Sequence, residues 1–312
     1  MPNLRQLEYL VAIAETRHFR RAAERANTTQ PTLSEQLKVL EERLGVQLVE
    51  RSRSHVALTP VGSQVVEIAR RMLADAAEIR SLATSGGTEL SGVVRLGLPP
   101  TIGPYLLPAV IPALRTRFPD LKLYVREELP GGLPRAIEEG AHDLVISLLP
   151  VSAASLMIEP LFREPIYLAV AAGHPLAEKD NVRRRDLQGE EILALGRGHQ
   201  LHDTVVALCE DFGAVLRTDY EGTSLDTLRE MVAMGLGVTF LPGLYVRTVA
   251  NRDTNIRTIE LADRSLYRTV AVMWRQTSPL QSSYRAFAEL VRNRVRKRFK
   301  EFVVLGSNSS QK

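Results

Sequence analysis

The chain has 312 residues, 45% of them hydrophobic and 24% charged, with a formal net charge of +4. That balance excludes a disordered or collagen-like chain, and the length allows two or three folded domains. The one cysteine, Cys209, excludes an internal disulfide and a cysteine zinc site.

No apolar run approaches the ~18 residues a membrane span needs. The N-terminus MPNLRQLEYL lacks the basic start and apolar core of a signal peptide. The expectation is a soluble cytoplasmic protein with no membrane contact. The mild positive charge leans towards an anionic partner without establishing one.

Residues 4–15 place Leu4, Leu7, Leu10, Val11 and Ile13 on one side at helical spacing. A second, short helix is predicted over Phe19–Ala26, with Ala22, Ala23 and Ala26 as a narrow apolar face. Asn27-Thr28-Thr29 reads as a turn. A third helix then runs to Leu44, carrying Pro31 in its first turn and Leu33, Leu37, Leu40 and Leu44 at helical spacing. Gly45 is its stop signal. Its outer face offers Gln30, Thr32, Ser34, Glu35 and Lys38, and with Thr29 and Pro31 at its start the candidate DNA contacts are Thr29, Gln30, Pro31, Thr32, Ser34 and Lys38. A short helix, a tight turn and a helix with hydrogen-bonding groups at its start make a helix-turn-helix for a DNA major groove. An ordinary helical hairpin on a solvated surface is the plainer alternative.

Val46–Glu50 and His55–Leu58 predict a small β-wing with Arg51 and Arg53 at its tip, suited to phosphate or minor-groove contact. Residues 1–62 hold nine basic and seven acidic side chains, so any basic stripe must come from geometry. Thr59-Pro60 then caps a long helix to about Thr84. Val61, Val65, Ile68, Met72, Ala76, Ile79 and Leu82 step by three or four, a heptad seam that one helix alone would expose. Pairing with a second copy is expected.

Thr84-Ser85-Gly86-Gly87-Thr88 reads as a linker. Strand and helix patterns then alternate to about residue 300, which predicts parallel α/β sheet in two subdomains around a cleft. Strands are expected at Val93–Leu98, Lys122–Glu127, Asp143–Leu148, Leu168–Ala171, Ile192–Leu195, Arg217–Tyr220, Val238–Leu241 and Tyr267–Trp274. Ligands in such sheets bind beyond strand ends and at helix N-termini. Thr101, after the first strand, and Thr223 and Ser224, before the helix at Leu225, are candidate ligand hydroxyls, with plain helix capping as the alternative. No GxSxG, HExxH, P-loop or GxGxxG motif is present. No enzyme, cofactor or metal is expected. The basic run Arg292–Lys300 reads as a solvated helix face.

The motif AAERANTTQPTLSEQLKVLEERLGVQLVER through LTPVG resembles the LysR-type transcriptional regulators, and the resemblance in element order spans nearly the whole chain. Within that family RHFRRAA, TIGPYLLPAVIPAL, PLFREPIYLAV, GHQL and TSLDTLREMVAMGLGVTFLP are similar to the peroxide-sensing OxyR branch.

The resemblance implies a winged helix-turn-helix domain over 1–59, a dimerisation helix over 60–90 and an effector domain over 91–300 of periplasmic-binding-protein type. That domain divides into subdomain I, about 91–163 and 268–300, and subdomain II, about 164–267, with a tail over 301–312. It implies double-stranded promoter DNA as partner, a homodimer assembling into a homotetramer, and RNA polymerase as a further contact. It implies an effector cleft at Thr101, His199, Gln200, Asp203, Thr223 and Ser224.

One departure governs the functional reading. The OxyR branch senses peroxide with a reactive cysteine and a resolving cysteine. Gln200 stands at the reactive position, and glutamine has no thiolate. Cys209 occupies the resolving position with no partner in the chain. Pro130 also stands where such sensors often carry threonine. Three readings follow: a regulator sensing another small molecule, a sensor acting through Cys209 alone or between subunits, or a constitutive form. A reading of another class is a solute-binding or enzymatic α/β module with a helical oligomerisation segment.

Overall fold

The computed structural model describes residues 2–51, 56–85 and 90–306. The chain divides into two compact units, one of residues 1–87 and 135–143, the other of 88–134 and 144–312.

The first unit opens with α1 (Leu4–Thr16), whose cap residue Asn3 accepts from the Gln6 N–H while the Gln6 side chain accepts from Asn3. Then come α2 (Phe19–Arg25) and α3 (Gln30–Leu44), which ends on Gly45 at φ 69°. A left-handed stop of that kind is cheap only for glycine. Leu10, Ile13, Ala22, Ala23, Leu33, Leu37 and Leu40 form one buried core. β1 (Val49–Arg51) pairs antiparallel with β2 (Val56–Leu58). Glu41 of α3 fixes the approach to this hairpin by accepting from the Leu48 and Val49 N–H groups at 2.8 and 3.1 Å.

Helix α4 (Pro60–Ser85) is capped by Thr59, whose Oγ1 accepts from the Gly62 N–H at 2.9 Å. Val66, Ala69 and Ala74 are buried, while Val61, Ile68, Met72 and Ile79 are 44–67% exposed. The helix thus has an inner face and an apolar outer seam.

The second unit is built on a 10-stranded sheet. One half holds β3 (Gly92–Leu98), α5 (Gly103–Arg117) and β4 (Leu121–Glu127), with the start of α6 (Leu133–Glu138), and then β5 (Leu144–Leu148). Two long strands cross the unit: β6 (Leu156–Ala171), and later β11 (Leu266–Arg275). Between them lie β7 (Glu191–Leu193), α7 (Gln200–Phe212), β8 (Val215–Leu216), α8 (Leu225–Ala233), β9 (Val238–Pro242), α9 (Gly243–Thr248) and β10 (Ile256–Ile259). The described chain closes with α10 (Gln281–Arg298) and β12 (Val303–Val304).

The expectation of a parallel sheet holds only within each half. β3 is parallel to β4 and β5, and β7 to β8 and β9. β6 runs antiparallel to β9, β10, β11 and β12, and β11 antiparallel to β5. Two antiparallel strands therefore stitch two parallel halves. The strand expected at Arg217–Tyr220 lies earlier, at β8, and the chain bends at Thr218 and Asp219. The basic run near residue 292 is not wholly solvated. Arg292 is 1% exposed and donates to the Pro160 carbonyl and to Glu159 of β6, clamping α10 to the sheet.

Candidate functional site

The first candidate surface is the outer side of α3. Thr29 caps the helix, its Oγ1 accepting from the Thr32 N–H and lying 2.8 Å from the Thr32 hydroxyl. Gln30, Pro31, Thr32 and Lys38 are exposed and Ser34 is half-buried, while Leu33, Leu37 and Leu40 of the same helix are buried. Among the described residues Lys38 pairs with Glu42 at 3.6 Å, an exposed and therefore weak ion pair that a phosphate can displace.

The turn before α3 is held from α1. Arg5 donates to the Ala26 carbonyl at 3.0 Å and to the Tyr9 hydroxyl, which bonds Thr28 at 3.4 Å. Neither Arg5 nor Tyr9 is visible from motif spacing, because the contact is between helices. Arg51 ends β1. Arg53 lies outside the described residues.

The second candidate region lies where the halves of the sheet unit meet. Thr101, between β3 and α5, is buried. Arg268 of β11 donates to the Thr101 carbonyl at 3.0 Å and to its hydroxyl at 3.3 Å. Arg268 also donates to Glu164 at 2.7 Å, its cross-strand neighbour on β6. The other Glu164 oxygen accepts from the Leu244 N–H at 2.6 Å, at the start of α9. Burial pushes the Glu164 carboxyl up, and the guanidinium and both donors pull against it. Each buried polar atom here has a partner, as a low-dielectric site demands. Arg268 and Glu164 escaped the sequence reading; charges inside the apolar runs around 156–170 and 266–275 were the available signal.

His199, Gln200, Cys209 and Asp203 all belong to α7 or its cap. Gln200 is the first residue of α7, and its amide donates to the Leu149 carbonyl after β5 at 3.0 Å. Beside it Gly198, at φ 92°, sits so close to Leu129 that an added Cβ would lie 3.2 Å from its Cδ1. The start of α7 is thus held against the β3–β5 half at two points.

His199 is 3% exposed, its Nδ1 has no partner, and burial lowers its pKa. Cys209 is buried, and burial raises its thiol. A raised thiol is a poor nucleophile. It lies nine residues along the helix from Gln200, about 13 Å at the helical rise.

Ser224 caps α8, accepting from the Asp226 N–H, and Thr223 is exposed. Asp226 in turn accepts from the Tyr245 hydroxyl at 3.0 Å, and Tyr245 packs edge-on against Tyr105 of α5 at 5.1 Å. Ser224 therefore serves as a helix cap joined to this chain of contacts. Asp203 faces elsewhere, into a cavity beside α7.

Residues 4–63 match the bacterial regulatory helix-turn-helix family of lysR type, and residues 87–296 match the LysR substrate binding domain. The chain belongs to the LysR family of DNA-binding transcriptional regulators. It is 41% identical over 293 residues to the DNA-binding transcriptional dual regulator OxyR of Escherichia coli K12, covering 94% of this chain and 96% of that protein. It is 35% identical over 295 residues to the regulator EstR of Acinetobacter baylyi, covering 94% of this chain and 97% of that one. A full-length OxyR variant from Pseudomonas aeruginosa superposes with a TM-score of 0.75 at 38% identity, over 93% of this chain and 94% of that one. Among the described residues no helix is long and apolar enough to cross a membrane.

Proposed function

We propose that this LysR-family regulator binds promoter DNA with α3 and the wing, as a dimer joined through the α4 seam and assembled into a tetramer. Its regulatory region responds to a small effector by hydrogen bonding at Thr101, His199, Gln200, Thr223 and Ser224, not by thiol oxidation. The observation that carries this reading is the Gln200 amide on the Leu149 carbonyl. Glutamine there is a donor and acceptor with no redox chemistry. An effector that offers its own acceptor to Gln200 releases Leu149 and frees the start of α7. The unpartnered His199 Nδ1 supplies a second polar contact. Sensing through Cys209 alone is disfavoured by a buried thiol whose pKa is raised.

The test is salt-dependent binding to a promoter fragment, with reporter output measured with and without peroxide. Ser34→Ala with Arg53→Ala is expected to weaken binding by roughly tenfold or more. Peroxide is expected to leave wild type and Cys209→Ser indistinguishable. DNA affinity unchanged in the double variant sinks the reading head. Peroxide induction that Cys209→Ser abolishes sinks the thiol-free effector site.

A further inference from the structure

A cavity of about 760 Å³ lies on the side of α7 away from the core. That volume is within the range of small-molecule sites. Its helical wall is His202, Asp203, Val206, Ala207 and Glu210. These recur at helical steps on one face, opposite buried Leu201, Val205, Leu208 and Cys209. Leu195 and Leu216 complete an apolar floor. The cavity is separate from the Gln200 contact and uses none of the hydroxyls assigned above.

Carboxylates outnumber cations in its lining. Asp203, Glu210 and Glu221 line it, against the cations Arg197 and Arg217. Arg217 is already engaged by Asp219, Glu191 and the Leu236 carbonyl. His202 Nδ1 lies 2.7 Å from the Leu195 carbonyl, which can only accept, so Nδ1 carries the hydrogen. In the neutral ring Nε2 is then an acceptor too. Tyr220, also in the wall, has a buried hydroxyl without a partner. Asp203 and Glu210 are seven residues apart, roughly 10 Å along the helix axis, with Val206 and Ala207 between them.

We propose that this cavity is a second ligand site, for an organic cation with an apolar body, of the alkyl diamine class. One ammonium group meets Asp203, the other Glu210, and the methylene chain covers Val206, Ala207 and Leu216. The site does not depend on the effector reading, and its test involves neither DNA nor the Gln200 contact.

Isothermal titration of the full-length protein with diaminooctane tests it, with octanediol and octanedioate as neutral and anionic matches. The diamine is expected to saturate one site per chain. Asp203→Asn with Glu210→Gln is expected to weaken it at least about tenfold, with the melting temperature unchanged because both side chains are exposed. The diol and the dicarboxylate are expected to bind no better than that double variant binds the diamine. No saturable diamine binding, equal binding of the diol, or undiminished binding by the double variant overturns the proposal.

Discussion

His199 and Gln200 are adjacent and play different parts. Gln200 gives an amide N–H to the Leu149 carbonyl, whereas the His199 Nδ1 is buried with no partner. Burial lowers the His199 pKa below the ordinary ~6.5. The unfolded chain therefore takes up the proton first on acidification. The resulting stability is complete above about pH 6.5 and is lost as the pH falls from there towards the lowered value. Melting temperatures measured from about pH 7.5 down to 5.5 are expected to fall more steeply for wild type than for His199→Asn. Parallel curves would show that His199 is not held neutral. The sequence singled out residue 200 through the GHQL motif, but it gave no sign of Leu149 as partner. That contact joins residues 51 apart in the chain, and only the folded chain brings them together.

At the scale of elements, the join between wing and linker helix turns on one glycine. A Cβ on Gly62 would lie 2.0 Å from the Leu48 carbonyl oxygen, a backbone atom that cannot rotate away. Gly62→Ala is expected to cost the first unit about 1–3 kcal/mol, the range for overpacking. Denaturant titration followed by hydrogen exchange in α1–α3 would detect it, and unchanged protection there would show that the helix shifts freely.

Helix ends were legible because their signals are neighbours in sequence: Thr29 before Pro31, Thr59 before Pro60, Gly45 after Leu44. Strand β6 was legible only over its last four residues. Earlier, Pro160, Pro165, Glu159 and Glu164 interrupt the apolar alternation. Those carboxylates are tolerated because Arg292 and Arg268 reach them from α10 and β11. β10 and β12 were missed because each is a short strand defined by pairing with β6.

At the scale of the whole molecule, the exposed seam of α4 makes assembly a testable requirement. Val61, Ile68, Met72 and Ile79 together make an apolar row that water disfavours. A charge at its centre, Ile68→Lys, is expected to shift sedimentation towards monomer. It should also weaken binding to a two-half-site operator by at least about tenfold, because both reading heads no longer engage together. A variant that stays dimeric, with unchanged affinity, would mean the seam is not the joint.

The sequence by itself determined the helix-turn-helix, the strand pair after it, the long helix α4 and the glutamine at position 200. Each is written in local spacing: caps, helical periodicity, and the identity of one residue in a family motif. Only the tertiary structure decided that β6 and β11 run antiparallel to their neighbours, that Arg268, paired with Glu164, holds Thr101, and that Asp203 opens on a cavity of its own. Those features depend on which distant segments share a low-dielectric interior, where every buried charge and carbonyl must find a partner. Periodicity along one segment carries no information about that choice.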